Sequence, residues 1–274
     1  MSLEIYEELI QGSSEWLAAR AGIVTASVVG QLITKGAPDA LTVPCPKCES
    51  PANEPCISTA RKVPTPIKTI HDERSFKAYE LPPVYKVSDT DTARTLTMTL
   101  AAERITGYVE PVQPSRAMER GNLDEPYARD KYSEHHAPVD QIGFMVRQFD
   151  GFKIGFSPDG LVGDKGLIEI KSRAQKTQLK TVLSDAVPAE NLAQMQCGLL
   201  VSGREWCDYV SYSGGMKLWT KRVYPDPAWH EAILAAVEHF EKNAAEMVST
   251  YLDATTDMPD TERIDHFAEM EIIF

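Results

Sequence analysis

The feature that most constrains the fold is a block of β-prone runs in the middle of the chain. Three short runs are separated by Asp-Gly and Asp-Lys-Gly turns, and they cover residues 142–147, 152–157 and 166–172. Helical patterns surround this block at about 14–34, 92–107, 124–134, 188–202 and 228–252, and further strands are predicted at 207–212 and 218–224. Ser14 can cap the first helix, and Pro126 is tolerated in the first turn of the third. Strands with helices on both sides predict an α/β fold with a mixed central sheet.

The charge of the chain is unevenly distributed. The formal net charge is -12, with 40 Asp and Glu residues against 28 Lys and Arg residues. Twelve of the acidic and two of the basic residues lie between Pro225 and Phe274, a local net charge of -10, so the rest of the chain carries only -2. The acidic composition is therefore compatible with a basic groove that binds a nucleic acid elsewhere.

The sequence predicts a location in the cytoplasm and no membrane partner. No run approaches the roughly 18 apolar residues that a membrane span needs. The acidic start MSLEIYEELIQ lacks the basic-then-apolar layout of a signal peptide.

Two carboxylates and a lysine come together in the stretch SPDGLVGDKGLIEIKSR. Glu169 and Lys171 project from the same face of a predicted strand, Ile170 points to the opposite apolar side, and a hairpin-like return brings Asp159 alongside. Two carboxylates and the carbonyl of Ile170 form a hard oxygen site suited to Mg²⁺. A lysine beside them can position or deprotonate an attacking water or stabilise developing charge. The alternative is a solvated ion pair on an exposed strand.

Residues 36–92 differ from the rest and predict an insertion embedded in a single domain of residues 1–274. They hold nine of the 18 prolines and show little periodicity. Three cysteines and a histidine in C-x2-C-x7-C-x14-H spacing predict a tetrahedral structural Zn²⁺ site: Cys45, Cys48, Cys56 and His71. Bound zinc would supply folding free energy that a proline-rich segment lacks. The alternative is reduced structural thiols and an unrelated surface histidine.

Other features of the cysteines and charges refine this view. Cys197 and Cys207 stand in apolar surroundings and are predicted to be small buried residues. The run 61–77 holds five basic and two acidic residues, so the insertion is a candidate for contact with DNA phosphates.

Several motifs, in order along the chain, resemble the PD-(D/E)xK nucleases and, within them, the phage lambda exonuclease or YqaJ-type viral recombinase family. The motifs are SSEWLAARAGIVTAS, RTLTMTLAAERITG, GNLDEPYARDKY, SPDG, the Glu-Ile-Lys strand and AQMQCGLLVSG. They span most of the chain. The resemblance implies a restriction-endonuclease-like core, to which the cysteine-bearing segment is an addition.

The resemblance also implies roles for individual residues. Asp159 and Glu169 would bind the metal with the carbonyl of Ile170, and Lys171 would be the catalytic lysine. The other residues implied at the site are Glu125 and Gln194 near the metal, and Arg20, Thr25 and Ser27 on a terminal 5′-phosphate. Guanidinium forks and short hydroxyls bind phosphate oxygens well. Taken singly, these residues also fit ordinary helix-surface and capping roles.

Two positions depart from the family pattern. Relatives carry a further acidic residue on the strand before SPDG. Here Asp150 is the candidate for an additional Mg²⁺ ligand, shifted by one position into a predicted turn. The lambda enzyme has a tyrosine three residues before the glutamine, where this chain has Asn191, so any contact made by that ring is lost or replaced.

The implied function is a Mg²⁺- or Mn²⁺-dependent 5′-to-3′ exonuclease of a phage or prophage, acting in the bacterial host cytoplasm. It would degrade linear double-stranded DNA and leave 3′ single-stranded tails for homologous recombination. Its implied partners are DNA ends, two further copies in a homotrimer, and a single-strand-annealing recombinase. The alternatives are a structure-specific or Cas4-like nuclease of the same fold and a non-catalytic DNA-end-binding recombination scaffold.

Overall fold

The computed structural model describes residues 2–60, 63–111 and 113–264. In these ranges the α-helices are α1 (Ser14–Arg20), α2 (Asp72–Tyr79), α3 (Asp91–Thr106), α4 (Arg116–His135), α5 (Gln175–Ser184), α6 (Ala189–Ser202) and α7 (Pro227–Ala254). The strands are β1 (Ser2–Tyr6), β2 (Val24–Thr25), β3 (Ile33–Gly36), β4 (Val84–Val87), β5 (Phe144–Gln148), β6 (Lys153–Phe156), β7 (Gly160–Val162), β8 (Gly166–Ser172), β9 (Trp206–Tyr212) and β10 (Trp219–Val223). Residues 265–274, the end of the acidic C-terminal segment, lie outside the described part of the chain.

The strands form two four-stranded sheets of mixed direction and a two-stranded ribbon. The first sheet has the order β1-β5-β6-β2, in which β2 and β6 are parallel. The second has the order β10-β9-β8-β7, in which β8 and β9 are parallel. The predicted mixed α/β fold is confirmed, with its β-structure divided between two sheets.

Strand β8 is buried on both faces. On one face Leu167 belongs to the main hydrophobic core, which includes residues of α3, α6 and α7. On the other face Ile168 and Ile170 pack against Ala128 and Tyr132 of α4. Residues between these apolar positions are therefore held away from bulk water.

The first predicted helix is shorter than expected. Ser13, rather than Ser14, caps it by accepting a hydrogen bond from the backbone of Trp16, and the helix ends at Arg20. Gly22 has a φ of 67°, which breaks the helix, and Val24–Thr25 then pairs with β6. Strand pairing thus overrides the helical pattern of residues 21–34.

The helix predicted at 124–134 begins earlier, because Ser115 caps it and α4 starts at Arg116. Pro126 therefore lies inside the helix rather than in its first turn. A proline there cannot donate the backbone bond to the carbonyl four residues before it, that of Asn122. The helix is continuous from Arg116 to His135, but the carbonyl of Asn122 lacks this one backbone donor.

The inserted segment extends from the β3–β4 ribbon, whose strands pair antiparallel from Ile33↔Val87 to Gly36↔Val84. Its helix α2 packs against the short 3-10 helix Ala40–Thr42. We propose that the chain forms a single domain with an insertion at residues 36–92. Among the described residues, no helix combines the length and apolar character needed to cross a membrane.

Candidate active site

Asp159 lies directly beside strand β8. It precedes β7, which runs antiparallel to β8 with Gly160 opposite Ile168. Its Oδ2 accepts a hydrogen bond of 2.6 Å from the backbone amide of Ile170. The hairpin-like return inferred from the sequence is therefore present, and it fixes one carboxylate against the strand that carries the second.

Glu169 and Lys171 form a buried ion pair. Glu169 is 1 % exposed, and its Oε1 lies 2.5 Å from Nζ of Lys171. The same ammonium donates a hydrogen bond of 3.2 Å to Oε1 of Gln194 on α6. Because Glu169 is inaccessible to water, a solvated surface pair does not describe this arrangement.

A third carboxylate approaches from α4. The carboxylate of Glu125 is paired with Arg129 one helical turn later. The charges of Glu169 and Lys171 act on the pKa of Glu125, and the charge of Glu125 acts on the pKa of Asp159. Three acidic side chains thus share a confined region with few positive charges.

The pKa directions reflect the burial of these groups and, after that, the charges of their neighbours. Burial, and then the charge of Glu169, raise the pKa of Asp159 well above its usual range. Burial also raises the pKa of Glu125, with Arg129 opposing the shift. Burial alone would lower the pKa of Lys171, but the charges of Glu169 and Asp159 prevail and raise it. A bound cation would stabilise the buried carboxylates and relieve the repulsion between them.

The donors in this cluster fit a hard divalent cation. Glu169 Oε1 is buried and faces the ammonium of Lys171. Together with Asp159 and the carbonyl of Ile170, it offers oxygen ligands of the kind that Mg²⁺ and Mn²⁺ prefer. We call Asp159, Glu169 and Lys171 the carboxylate centre.

A second polar cluster, the arginine–hydroxyl cluster, consists of Arg20, Thr25 and Ser27. Nη2 of Arg20 donates to Thr25 Oγ1 at 3.2 Å and to Ser27 Oγ at 3.5 Å. The guanidinium also stacks 3.8 Å from the ring centroid of Trp16. Burial lowers the pKa of Arg20 to about 10, so the group still carries its charge at neutral pH. Such a charged, half-buried fork with adjacent hydroxyls suits a phosphate group.

One cleft of about 380 Å³ joins the two clusters. Its wall includes the predicted residues Arg20, Thr25, Ser27, Glu125, Asp159, Ile170, Lys171 and Gln194. Side chains that the sequence did not single out also line it: Gln11, Met118, Asn122, Ser157 and Ser172. Ser172 is the last residue of β8, and Asn122 and Ser157 lie within the motifs GNLDEPYARDKY and SPDG, but the sequence assigned no role to any of these side chains.

Asp150 and Asn191, the two positions that depart from the family pattern, lie outside the cleft wall. Asp150 is exposed in the turn before β6, at the opposite end of that strand from Asp159, and is absent from the cleft wall. The prediction that Asp150 is an additional Mg²⁺ ligand is therefore wrong. Asn191 is buried and accepts hydrogen bonds from Arg173 (2.5 Å) and from the hydroxyl of Tyr209 (3.3 Å), so it anchors α6 to β9.

The predicted zinc ligands are brought together in the insertion. The sulfur and nitrogen donors of Cys45, Cys48, Cys56 and His71 all lie within 4.8 Å of one another. Zinc–sulfur bonds of about 2.3 Å in a tetrahedron place ligand atoms somewhat under 4 Å apart, so a small contraction would complete the site. The prediction of a structural zinc site is supported, and we call these four residues the zinc cluster.

Arg74, three residues after His71, is fully buried and supports the loops around the zinc cluster. It donates hydrogen bonds to four backbone carbonyls, those of Leu41, Val43, Pro51 and Glu54. Arg74 is therefore unavailable to DNA. Arg61 and Lys62 lie outside the described residues, which leaves Lys68 and Lys77 as the exposed basic groups of the run 61–77.

Comparison with protein families gives two matches that overlap at residues 84–87. Residues 84–205 match the YqaJ-like viral recombinase domain. Residues 16–87 match a phage zinc finger domain to which DNA binding is ascribed. The second match includes the zinc cluster, and the first includes the carboxylate centre. No match is found among curated proteins.

Solved structures of exonucleases share the fold. An alkaline exonuclease from Laribacter hongkongensis is 25% identical, with a TM-score of 0.64, and the match covers 90% of this chain and 100% of that one. The same enzyme in complex with dAMP matches with a TM-score of 0.63, the same identity and the same coverage. A phage-related exonuclease from Haemophilus somnus matches more distantly, at 14% identity and a TM-score of 0.49, over 84% of this chain and 96% of that one.

Proposed function

We propose that this protein, which carries a YqaJ-like viral recombinase domain and shares the fold of an alkaline exonuclease, is a Mg²⁺-dependent exonuclease that degrades linear duplex DNA from 5′ ends. The sequence-based predictions of the family, of the fold and of a DNA exonuclease are confirmed. The metal, the direction and the duplex substrate are our proposal.

The observation that carries the proposal is the shared cleft. Its wall contains Arg20 with two hydroxyl side chains, a cluster suited to phosphate, together with Asp159, Ile170 and Lys171. Glu169 is buried beside Lys171 and is not part of the wall. An enzyme that acts only at an end must recognise a group that internal positions lack, and a terminal 5′-phosphate is such a group. The arrangement therefore supports cleavage near a 5′ end rather than at internal positions.

The residues of the cleft divide the work of hydrolysis. A bound Mg²⁺ would supply charge neutralisation on the phosphodiester and a more acidic water. Asp159, Glu169 and the carbonyl of Ile170 would hold the ion. Lys171, kept in place by Glu169 and Gln194, directs its ammonium to the same region and can stabilise negative charge on the phosphate.

The wider setting follows from the family. We propose a homotrimer that encloses DNA, a single-strand-annealing recombinase as partner, and action on DNA in the cytoplasm of a bacterial host during phage-type recombination. The zinc insertion would contribute exposed Lys68 and Lys77 to contacts with DNA phosphates. Light scattering of the purified protein would measure the number of copies per particle.

The central experiment compares linear 5′-phosphorylated duplex with covalently closed circular DNA, in Mg²⁺ or in EDTA. We expect degradation of the linear duplex only, and only with the metal, with release of label from the 5′ end before the 3′ end. Cleavage of the circle would refute the exonuclease assignment. Release from the 3′ end first would refute the direction.

The assignment of the centre is tested with Lys171→Ala and a matched control. Lys165→Ala removes a lysine just before β8 that is exposed and pairs with Glu205. We expect loss of cleavage in Lys171→Ala, with DNA binding retained, and wild-type cleavage in Lys165→Ala. Full activity in Lys171→Ala would refute the assignment. DNA binding without cleavage by the wild-type protein would favour the recombination scaffold.

A further inference from the structure

Arg129 connects the carboxylate of Glu125 with the backbone of Asp159, two residues of the cleft that come from different parts of the fold. Its Nη2 is paired with the carboxylate of Glu125 on the same helix. Its Nε donates a hydrogen bond of 2.9 Å to the backbone carbonyl of Asp159, in the turn before β7. The guanidinium therefore spans the space between α4 and the loop that carries Asp159.

The location of this guanidinium makes the contacts strong. The side chain of Arg129 is 11% exposed and that of Glu125 is 25% exposed, so little water competes for either group. A buried charge is tolerated only when it is paired and hydrogen-bonded, and both partners of Arg129 belong to the cleft. The neighbouring Ala128 and Tyr132 are packed against β8, which fixes the helix position from which the side chain extends.

The geometry also explains why an arginine occupies this position. Two different nitrogens of the guanidinium make the contacts: Nε donates to the loop carbonyl and Nη2 donates to the helix side chain. A planar fork provides donors in these directions at once, whereas a lysine ammonium is a single point charge on a flexible stem.

We propose that Arg129 is a positioning residue that holds Glu125 and Asp159 in one arrangement competent to bind the metal. The inference rests on the proposed function, because it concerns the metal of that same centre. Arg129 does not contact the scissile phosphate in this proposal. It acts through the two acidic residues that it connects.

The test measures binding of Mg²⁺ alone by calorimetry, and separately the Mg²⁺ concentration that gives half-maximal cleavage. The variants are Arg129→Gln, Arg129→Lys and the control Lys131→Gln, which removes a lysine two residues along the same helix that is 54% exposed. Loss of groups that orient metal ligands typically weakens metal binding about 10- to 100-fold. We expect a change of this size in Arg129→Gln, a smaller one in Arg129→Lys and none in Lys131→Gln.

The dependence on Glu125 separates positioning from general damage to the fold. In a Glu125→Gln background, Arg129→Gln is expected to weaken Mg²⁺ binding by a smaller factor, because one of its two targets has already lost its charge. If Arg129→Gln fails to fold, Arg129→Lys carries the test. Wild-type Mg²⁺ affinity in a folded variant at position 129 would overturn the inference. If the wild-type protein binds Mg²⁺ but does not cleave DNA, the proposed function is refuted. The calorimetric test of Arg129 still applies in that case.

Discussion

Replacement of Arg74 by methionine should weaken zinc binding without changing the stability of the nuclease core. Methionine keeps much of the side-chain volume but removes every donor. The change removes the donor to four backbone carbonyls, those of Leu41, Val43, Pro51 and Glu54, at 3.1, 2.8, 2.9 and 2.7 Å from the guanidinium nitrogens. The carbonyls of Leu41 and Pro51 keep a backbone donor, so among the described residues those of Val43 and Glu54 are left without a partner. All four lie within the insertion, so the damage should be confined to it.

The magnitude follows from the number of bonds lost. A buried acceptor without a partner costs about 1–3 kcal/mol, and one hydrogen bond lost from an acceptor that keeps another costs about 0.5–1.5 kcal/mol. The lower values are appropriate because three of the four bonds are only part-buried, and two acceptors of each kind give a total of about 3 kcal/mol. Since about 1.4 kcal/mol corresponds to a factor of ten, zinc affinity should fall by roughly two orders of magnitude. Structural zinc provides about 10–16 kcal/mol in small modules, so the variant should still bind the metal, but weakly.

Competition with a coloured chelator measures this change directly. We expect Arg74→Met to release zinc at a far lower chelator concentration than the wild-type protein, while thermal unfolding of the rest of the chain is unchanged. The control Lys77→Met alters an exposed residue of the same helix and should behave as wild type. Zinc affinity in Arg74→Met equal to that of the wild-type protein would refute this account of how the insertion is held together.

Three further predictions concern the cleft. Because the pKa values of Asp159 and Glu125 are raised, protons should compete with Mg²⁺ as the pH falls; cleavage should decline on the acid side, and the decline should move to lower pH when Mg²⁺ is increased. An acid limb that is independent of Mg²⁺ would contradict this. Arg20→Gln should raise KM for 5′-phosphorylated duplex by about tenfold or more and leave KM for 5′-hydroxyl duplex unchanged, as steady-state kinetics would show. Gln194→Ala should lower kcat and change KM little, because Lys171 loses a hydrogen-bond acceptor at 3.2 Å that holds its ammonium in place. A change in KM alone would argue against this role of Gln194.

The centre of the fold could be predicted because its pattern is local. The run 166–172 coincides with β8, and the alternation of Glu169 and Lys171 with Ile168 and Ile170 indicated correctly which side chains share a face. The turn before Asp159 was also marked by its residue types. Here local propensity and tertiary structure agree, so the sequence was sufficient.

Helix α5 shows why other parts could not be predicted. Its Leu179 and Leu183 are 52% and 76% exposed, whereas Gln178 is fully buried. The amide of Gln178 donates to the carbonyls of Ser211 and Lys217, and its oxygen accepts from Ser211 Oγ. A hydrophobic pattern would place the leucines inside, because nothing in it reveals hydrogen-bond partners more than 30 residues away.

The cleft shows the same limit. Residues within motifs, such as Arg20 and Gln194, lie in its wall, whereas Asp150 does not. The position of Asp150 depends on where the turn after β5 falls, and a shift of a few residues moves a side chain from one end of β6 to the other. The role inferred for Arg129 required the distance between α4 and the Asp159 turn, which no pattern within either segment contains.

The separation between the two halves of the cleft is set by strand pairing rather than by a flexible loop. Thr25 is the partner of Gly155 in the parallel pair of β2 and β6, and the chain continues from β6 through Ser157 to Asp159. The indole of Trp16 donates a hydrogen bond of 2.9 Å to Ser157, which ties the helix of the arginine–hydroxyl cluster to the same connection. A Cβ atom at Gly155 would lie 2.5 Å from the ring of Phe144 and 3.1 Å from the Thr25 side chain, so glycine permits the close packing of β6 between them. Because the distance is fixed, a DNA strand held by its terminal phosphate would present the same phosphodiester to the carboxylate centre in every cycle, which is the geometric requirement for an exonuclease.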